Sequence, residues 1–435
     1  MFHAGSQPSR RARGCRQYHG ALAGARPCAP VSSQDPRLPH TIAPSLRTTA
    51  EFGGAAGVAF DGPPRKVRPL DRGKTMAKTN PGNFFEDFQV GSEMVHAVPR
   101  TITEGECAMY IALTGSRYPL HCSAEFGRSL GYERETVNDM LVFNIVFGKT
   151  VNDLSLNAVA NLGYAGVRFL RPVYAGDTLR SVSKVLGKKE NSDGNTGVVW
   201  VKTVGTNQRQ EAVLEFYRWV MVNKRDPATP TGAADHPEVP KEVTPNELVV
   251  ASNLDLRGYE AWPAGGSAYF DDYELGEKID HVDGMTIEEA EHATATRLYQ
   301  NTAKVHFDAV QMKDSRFGRR LMYGGHAISI ARSLSFNGLE KVLAILAWNA
   351  GAHVNPTFAG DTIYAYSEVL DKADLPGRSD CGALRVRLVG LKDVAATAAG
   401  FPLRVAKGGR DVYAPNVVLD LDYWLLLPRA HAAGA

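Results

Sequence analysis

The sequence predicts an α+β protein made of two tandem copies of one unit, and three observations predict it. The stretches Phe84–Gly91 (FFEDFQVG) and Tyr269–Gly276 (YFDDYELG) echo each other, with Phe85 and Phe270 185 residues apart. His121 and His306 keep the same spacing of 185, and the turn motif PVYAGDT returns as PTFAGDT, with Asp177 and Asp361 184 residues apart. Within each copy a helical stretch precedes a run of strands, which is the order of an α+β unit. A repeat this long is a duplicated domain rather than a solenoid, whose period is about 20–50 residues.

The copies are placed at residues 76–225 and 266–427, joined by a linker at 226–265 and followed by a short tail, 428–435. The linker opens on Asp226–Glu242 (DPATPTGAADHPEVPKE), rich in Pro and Ala. Ahead of the first copy lies a leader, 1–75. Its first fifty residues hold seven Arg and one acidic residue, Asp35, without apolar periodicity. Such a composition suits a disordered tail or an Arg-rich transit peptide. An over-extended start is the favoured reading, because Met76 begins a cleaner opening, MAKTNPGNFFEDF.

Each copy then runs in the same order. Thr103 and Thr286, each followed by acidic residues, are read as helix starts. A loop carrying a histidine comes next, and then a second helix, at 139–154 in the first copy and 324–337 in the second. Both second helices are apolar on several sides (LVFNIVFGKTV and AISIARSLSF), as a helix buried against a sheet must be. Strands are expected at 165–170, 178–186, 197–206 and 211–222, and again at 342–354, 362–370, 383–391 and 412–424, with Gly, Asp, Asn or Pro between them.

Composition bounds the function. A hydrophobic share of 44%, a charged share of 22% and a net charge of +2 are ordinary for a globular protein and argue against nucleic-acid or membrane partners. There is no apolar run of about 18 residues, so no membrane-spanning helix is expected. The five cysteines form no CxxC pair and no metal-ligand spacing, which fits free thiols in a reducing cytoplasm. The histidines show no HxxxH spacing, and neither a metal nor a cofactor is expected.

The candidate chemistry lies in Thr296–His326. His306 ends a polar loop, and the pair Gly324-Gly325 opens the helix that follows. A histidine with a Gly-opened helix joins a proton-transfer group to bare backbone N–H donors. His281, His292 and His353 have no partner in the sequence and are read as structural, as is His121. The pairs Gly176-Asp177 and Gly360-Asp361 are turn residues.

The first-copy loop ALTGSRYPLHCSAEFG (112–127) resembles the hydratase signature of the MaoC-like, R-specific enoyl-CoA hydratase family, G-D-x-N-P-(I/L)-H. Gly115, Pro119, Leu120 and His121 match it, with Ser116 and Tyr118 at the Asp and Asn positions. In the second copy Asn301 stands at the Asp position and His306 at the His, with Ala303 and Lys304 at Asn-Pro. Gly324-Gly325 stands where the family has H-G, and the first copy has Asn138-Asp139 there.

The resemblance implies a double hotdog fold, two sheets each wrapping a long helix, and one working site built mainly from the second copy. It implies a hydro-lyase acting on a CoA thioester, assembled as a homodimer. Catalytic roles fall to His306 as the proton-transfer group, Asn301 as the residue orienting water and Gly325 as the N–H donor to the thioester oxygen. Tyr118, Tyr323, Gly324 and His326 are expected to bind substrate. Asn cannot replace Asp in proton transfer, so His306 acts alone or with Asp308, His326 or a first-copy residue. The runs NLGYAGVRFLRPVYAGDTL, MAKTNPGNFFEDF, RLYQNTAKVHF and YGGH extend the resemblance over 76–427 and imply a carbon-assimilation enzyme whose substrate bears a free carboxylate. A cation must meet that group, and Arg117 is the first candidate, ahead of Arg320 and Lys304. A thioesterase and a non-catalytic acyl-CoA-binding protein are the alternatives.

Overall fold

The two echoing stretches fold alike for one physical reason. In each, a short 3₁₀ turn is closed by an aspartate, Asp87 or Asp272, that accepts the backbone N–H of Phe84 (2.9 Å) or Tyr269 (2.8 Å). The next aromatic, Phe85 or Phe270, is buried over a strand glycine. A Cβ on Gly197 would lie 2.2 Å from the Phe85 ring, and one on Gly382 2.5 Å from that of Phe270. The computed structural model describes residues 78–433, so the leader at 1–75 and the last two residues of the tail lie outside the described residues.

The first half continues with β1 (Glu93–Val95), β2 (Arg100–Thr101), α1 (Glu104–Thr114), α2 (Pro119–Cys122), α3 (Ala124–Ser129) and α4 (Asp139–Leu154). Four long strands follow: β3 (Ala158–Phe169), β4 (Thr178–Glu190), β5 (Thr196–Thr206) and β6 (Ala212–Asn223). The second half repeats this order with β7 (Lys278–Asp280), β8 (Met285–Thr286), α5 (Glu289–Leu298), α6 (Lys304–Phe307), α7 (Ala309–Met312) and α8 (Gly324–Leu334). Then come β9 (Ala344–His353), β10 (Thr362–Leu375), β11 (Arg378–Lys392), a β12–β13 hairpin (Arg404–Lys407 and Arg410–Tyr413) and β14 (Val417–Pro428).

Thr103 caps α1 with a full capping box, its hydroxyl accepting Glu106 N–H while Glu106 accepts Thr103 N–H at 2.8 Å. Thr286 does not cap α5. It lies on β8, where its hydroxyl meets Thr362 at 2.8 Å, and the cap falls to Glu288, whose side chain makes no capping bond. By the 185-residue offset Thr286 answers Thr101, and the helix cap falls two residues later than expected. α8 ends at Leu334, short of residue 337, where Ser335 turns its hydroxyl back to Arg332 O. β3 begins seven residues early, because its glycines form bulges rather than a turn: register slips between Asn161 and Gly163 and between Ala165 and Arg168. At 412–424 the expected strand is split by Pro415, which has no N–H for a ladder.

Apart from the β12–β13 hairpin, the strands form one continuous antiparallel sheet in the order β1-β4-β5-β6-β3-β9-β14-β11-β10-β7, with β2 also paired to β4 and β8 to β10. Its middle seam is β3 against β9, with Tyr164 opposite Gly351 and Val167 opposite Trp348. α4 and α8 lie side by side within the curve of the sheet, and one apolar core runs through both halves. Asn144 on α4 ties them, donating to Ser329 Oγ on α8 at 3.0 Å. The 226–265 segment is no loose tether. Leu254, Leu256 and Tyr259 pack with Leu120 and Phe126 of the first half, and Trp424 donates its indole N–H to Val243 O. Among the described residues no helix is long and apolar enough to cross a membrane.

Candidate active site

The histidine loop of the second half is built against the first-half helix α4. Gly148 on α4 lets the chain after α5 come close, since a Cβ there would sit 1.8 Å from Tyr299 O. Buried Lys149 donates to Gln300 Oε1 at 3.3 Å, and Thr302 donates to Asn152 Oδ1 at 2.5 Å. Asn301 is buried and accepts the Ala303 N–H at 3.0 Å, which shapes the turn into α6. That bond occupies its carbonyl oxygen and leaves the amide NH₂ as the part able to meet a water molecule.

His306 is thereby held rigidly. Its Nδ1 lies 2.8 Å from Leu321 O. A carbonyl only accepts, so Nδ1 carries the proton and Nε2 keeps its lone pair. Burial pushes the imidazole down to about 4, with the Leu321 bond opposing, so the ring is neutral at pH 7. The Tyr323 ring stands 5.6 Å from it, edge-on.

Tyr323 is the N-cap of α8, and the Gly324 and Gly325 N–H groups that follow meet no acceptor among the described residues. Both glycines are required by close packing. A Cβ on Gly324 would lie 2.5 Å from the His353 ring, and one on Gly325 2.2 Å from Asn144 Oδ1 and 2.5 Å from the Tyr323 ring. His353, read from the sequence as a structural histidine, therefore belongs to this site. It stands at the end of β9, half-buried, with Nε2 3.3 Å from the hydroxyl of Tyr164 on β3, and burial lowers it to about 4. The reason it escaped detection is that its partners arrive across the β3–β9 seam. Its place in the repeat held the signal: in HVNPTFAGD and FLRPVYAGD it answers Phe169, a polar residue for an apolar one.

Several expected residues lie elsewhere. Arg117 is 56% exposed, 3.5 Å from Asp283, and stacks on Phe336 at 4.9 Å. Phe336 lies just past the C-terminus of α8, so Arg117 is at the end of the helix away from Gly325. Tyr118 is there too, its hydroxyl donating to Arg332 O at 3.2 Å. Lys304 points to solvent, and Arg320 is bound to Glu289 and Phe307 O on the outer surface. Asp308 is spent capping α7, accepting the Val310 and Gln311 N–H groups. His326 turns to the Tyr299 hydroxyl at 3.2 Å and is pushed by burial to about 3. His281 is structural as expected, bridging Asn337 O at 2.7 Å and Ser367 Oγ at 2.9 Å.

The first half shows what a capped version of this helix start looks like. Asp139 answers Gly324 and Met140 answers Gly325, one residue on from the Asn138-Asp139 pairing read in the sequence. The Met140 N–H is consumed by Asn138 Oδ1 at 3.0 Å. Asp139 accepts the Ile345 N–H at 2.8 Å and stands 3.9 Å from His121 Nε2, with burial raising its carboxyl to about 7. Val249 and Ala251 of the linker line a cavity together with His121, Thr136 and Asp139. Tyr323 makes no side-chain capping bond to its own helix start, and the Gly325 N–H stays bare.

The mesaconyl-CoA hydratase family profile matches residues 64–397. The chain is similar to a β-methylmalyl-CoA dehydratase of Chloroflexus aurantiacus, 58% identical over 81% of this chain and 99% of that one. It is similar to a mesaconyl-CoA hydratase of Cereibacter sphaeroides, 54% identical over 81% of this chain and all of that one. A solved MaoC domain protein dehydratase from C. aurantiacus superposes with a TM-score of 0.78 at 58% identity, covering 81% of this chain and 99% of that one. A Mycobacterium tuberculosis protein described as a double hotdog superposes at 0.64 with 23% identity, over 80% and 99% of the two chains, and shows the fold alone.

Proposed function

Because the chain belongs to the mesaconyl-CoA hydratase family and has its double hotdog fold, we propose that it adds water reversibly to mesaconyl-CoA, giving β-methylmalyl-CoA. The observation that carries the proposal is the bare Gly325 N–H at the start of α8, beside a neutral His306 whose Nε2 lone pair is free. In this reading the thioester oxygen accepts from Gly325, where the helix N-terminus favours the negative charge that builds up. His306 Nε2 takes a proton from water as its oxygen bonds to the carbon β to the thioester. The C=C electrons move to the thioester oxygen, and as the carbonyl re-forms the α-carbon takes the proton that His306 gives up. Dehydration is the same path reversed.

Asn301 orients the water through its amide NH₂. The family's aspartate is absent here, and His353 with Tyr164 is the pair we assign to assist proton return. A CoA thioester as ligand, a homodimeric assembly and a cytoplasmic place complete the reading. The free thiols of Cys107, Cys122 and Cys381 support the last of these. The test is to incubate purified protein with mesaconyl-CoA and follow the mass of the ester. Gain of one water is expected. Release of free CoA would favour a thioesterase, and no change would favour a binding protein.

A further inference from the structure

We propose that Arg218, on β6 of the first half, is the receptor for the substrate's free carboxylate. The inference deepens the hydratase reading and rests on it. The Arg218 side chain is fully enclosed, at 0% exposure. Its Nη2 has one long contact, 3.4 Å to Ser155 Oγ, while Nε and Nη1 have no hydrogen-bond partner. No acidic group pairs with it among the described residues; a buried cation left this way strongly destabilises a fold unless something else meets it. The other buried guanidinium, Arg332, also has an unpartnered Nε, but it donates to Ser335 Oγ at 3.0 Å and stacks on Tyr118 at 3.7 Å, away from the site.

Arg218 faces the site by two routes. It is the cross-strand neighbour of Tyr164, whose hydroxyl reaches His353, which packs on Gly324. Its guanidinium also lies 4.3 Å from the Phe147 ring, and Phe147 is 5.7 Å from Tyr323, the residue beside His306. The Tyr323 hydroxyl is itself buried without a partner. Arg218 and Tyr323 thus both neighbour the Phe147 ring and both carry unspent donors, and a carboxylate is the group that accepts from both. Burial lowers the guanidinium to about 10, which still leaves it charged at pH 7.

The placement matters for the reaction. In mesaconyl-CoA the carboxylate is bonded to the carbon that receives water. Anchoring it fixes that carbon against His306 and cancels a charge that would repel the incoming oxygen.

The test uses saturated ligands, so that it does not depend on turnover. Binding of succinyl-CoA and butyryl-CoA, which differ by the terminal carboxylate, is measured by calorimetry on the full chain and on Arg218→Met and Arg218→Lys. The wild type is expected to prefer succinyl-CoA by at least tenfold, Arg218→Met to abolish the preference, and Arg218→Lys to restore part of it. Arg218→Met should also lose about 10²–10³ in kcat/KM on mesaconyl-CoA while its Tm holds or rises, since an unpaired buried charge is gone. A wild type without the preference, or a preference that survives in Arg218→Met, overturns the assignment. The mass assay on mesaconyl-CoA fails separately if the hydratase reading is wrong.

Discussion

Adding one methyl group at Gly325 should disable the enzyme while leaving it folded. The new Cβ would stand 2.2 Å from Asn144 Oδ1 and 2.5 Å from the Tyr323 ring, where 3.4 Å is ordinary contact, so something must yield by about 1 Å. Neither neighbour gives way easily. Asn144 is tied to Ser329, and Tyr323 is wedged between Phe147 at 5.7 Å and Tyr299 at 5.8 Å. The start of α8 must shift instead. Overpacking of this kind costs about 1–3 kcal/mol. A body of roughly 350 residues unfolds with an entropy of about 0.75 kcal/mol/K, so Tm should fall by about 1–4 °C. Displacing the oxyanion donor should lower kcat by about 10²–10³. Stopped-time hydration of mesaconyl-CoA and a thermal melt measure both. The double variant Asn144→Ala/Gly325→Ala removes one of the two clashes and should recover part of the Tm. A Gly325→Ala enzyme with kcat within threefold of wild type would refute the oxyanion role.

Other perturbations probe the proton path and the buried histidines. His306→Ala should reduce kcat by at least 10², because it removes the free Nε2 lone pair beside Gly325; a loss under tenfold would remove His306 from its role. Tyr164→Phe should depress kcat by about tenfold with little change in KM, whereas an unchanged kcat would take the Tyr164–His353 pair out of proton return. Burial holds His121, His281, His306 and His353 near 4 and His326 near 3. Their folded pKa values lie below the unfolded 6.5, so this stability is complete above pH 6.5 and drains away as pH falls toward 4, by up to about 1.4 kcal/mol per histidine per pH unit. Asp139, raised to about 7, acts in the opposite sense but is one group against five. Tm should therefore drop steeply between pH 6.5 and 4.5 while kcat/KM shows no inflection at 6.5; a melt unchanged down to pH 5 would contradict the burial argument.

The duplication, the two long helices and the His306–Gly325 pair were legible in the sequence because each is local or periodic. FFEDFQVG, the GDT turns and the apolar run after Gly325 all report on neighbours a few residues away. Half of the candidate site is of another kind. Tyr164, His353, Arg218 and Asn144 meet only because β3 pairs with β9 and α4 lies against α8, and no spacing in the chain encodes that meeting. Arg117 misled for the same reason: the loop that carries it resembles the histidine loop, yet lies at the opposite end of α8. Polar residues within otherwise apolar buried strands, such as Arg218 in VLEFYRWVMV, are the trace that the sequence does hold.

The β3–β9 seam has a consequence for how such a site is inherited. In a dimer of identical chains each substitution appears twice, and any change that spoils one active site spoils both. Here a covalent tether holds two unequal partners at a fixed ratio of one to one. One helix start could acquire an asparagine that seals it while the other kept its bare glycines, and one wall could supply an arginine without its twin having to tolerate another. The tether also frees the pairing of these walls from mass action, so specific activity should not fall when the protein is diluted. A chain cut back to residues 266–427 would keep His306 and Gly325 but bare the edge of β9, and it would gain stickiness in place of turnover.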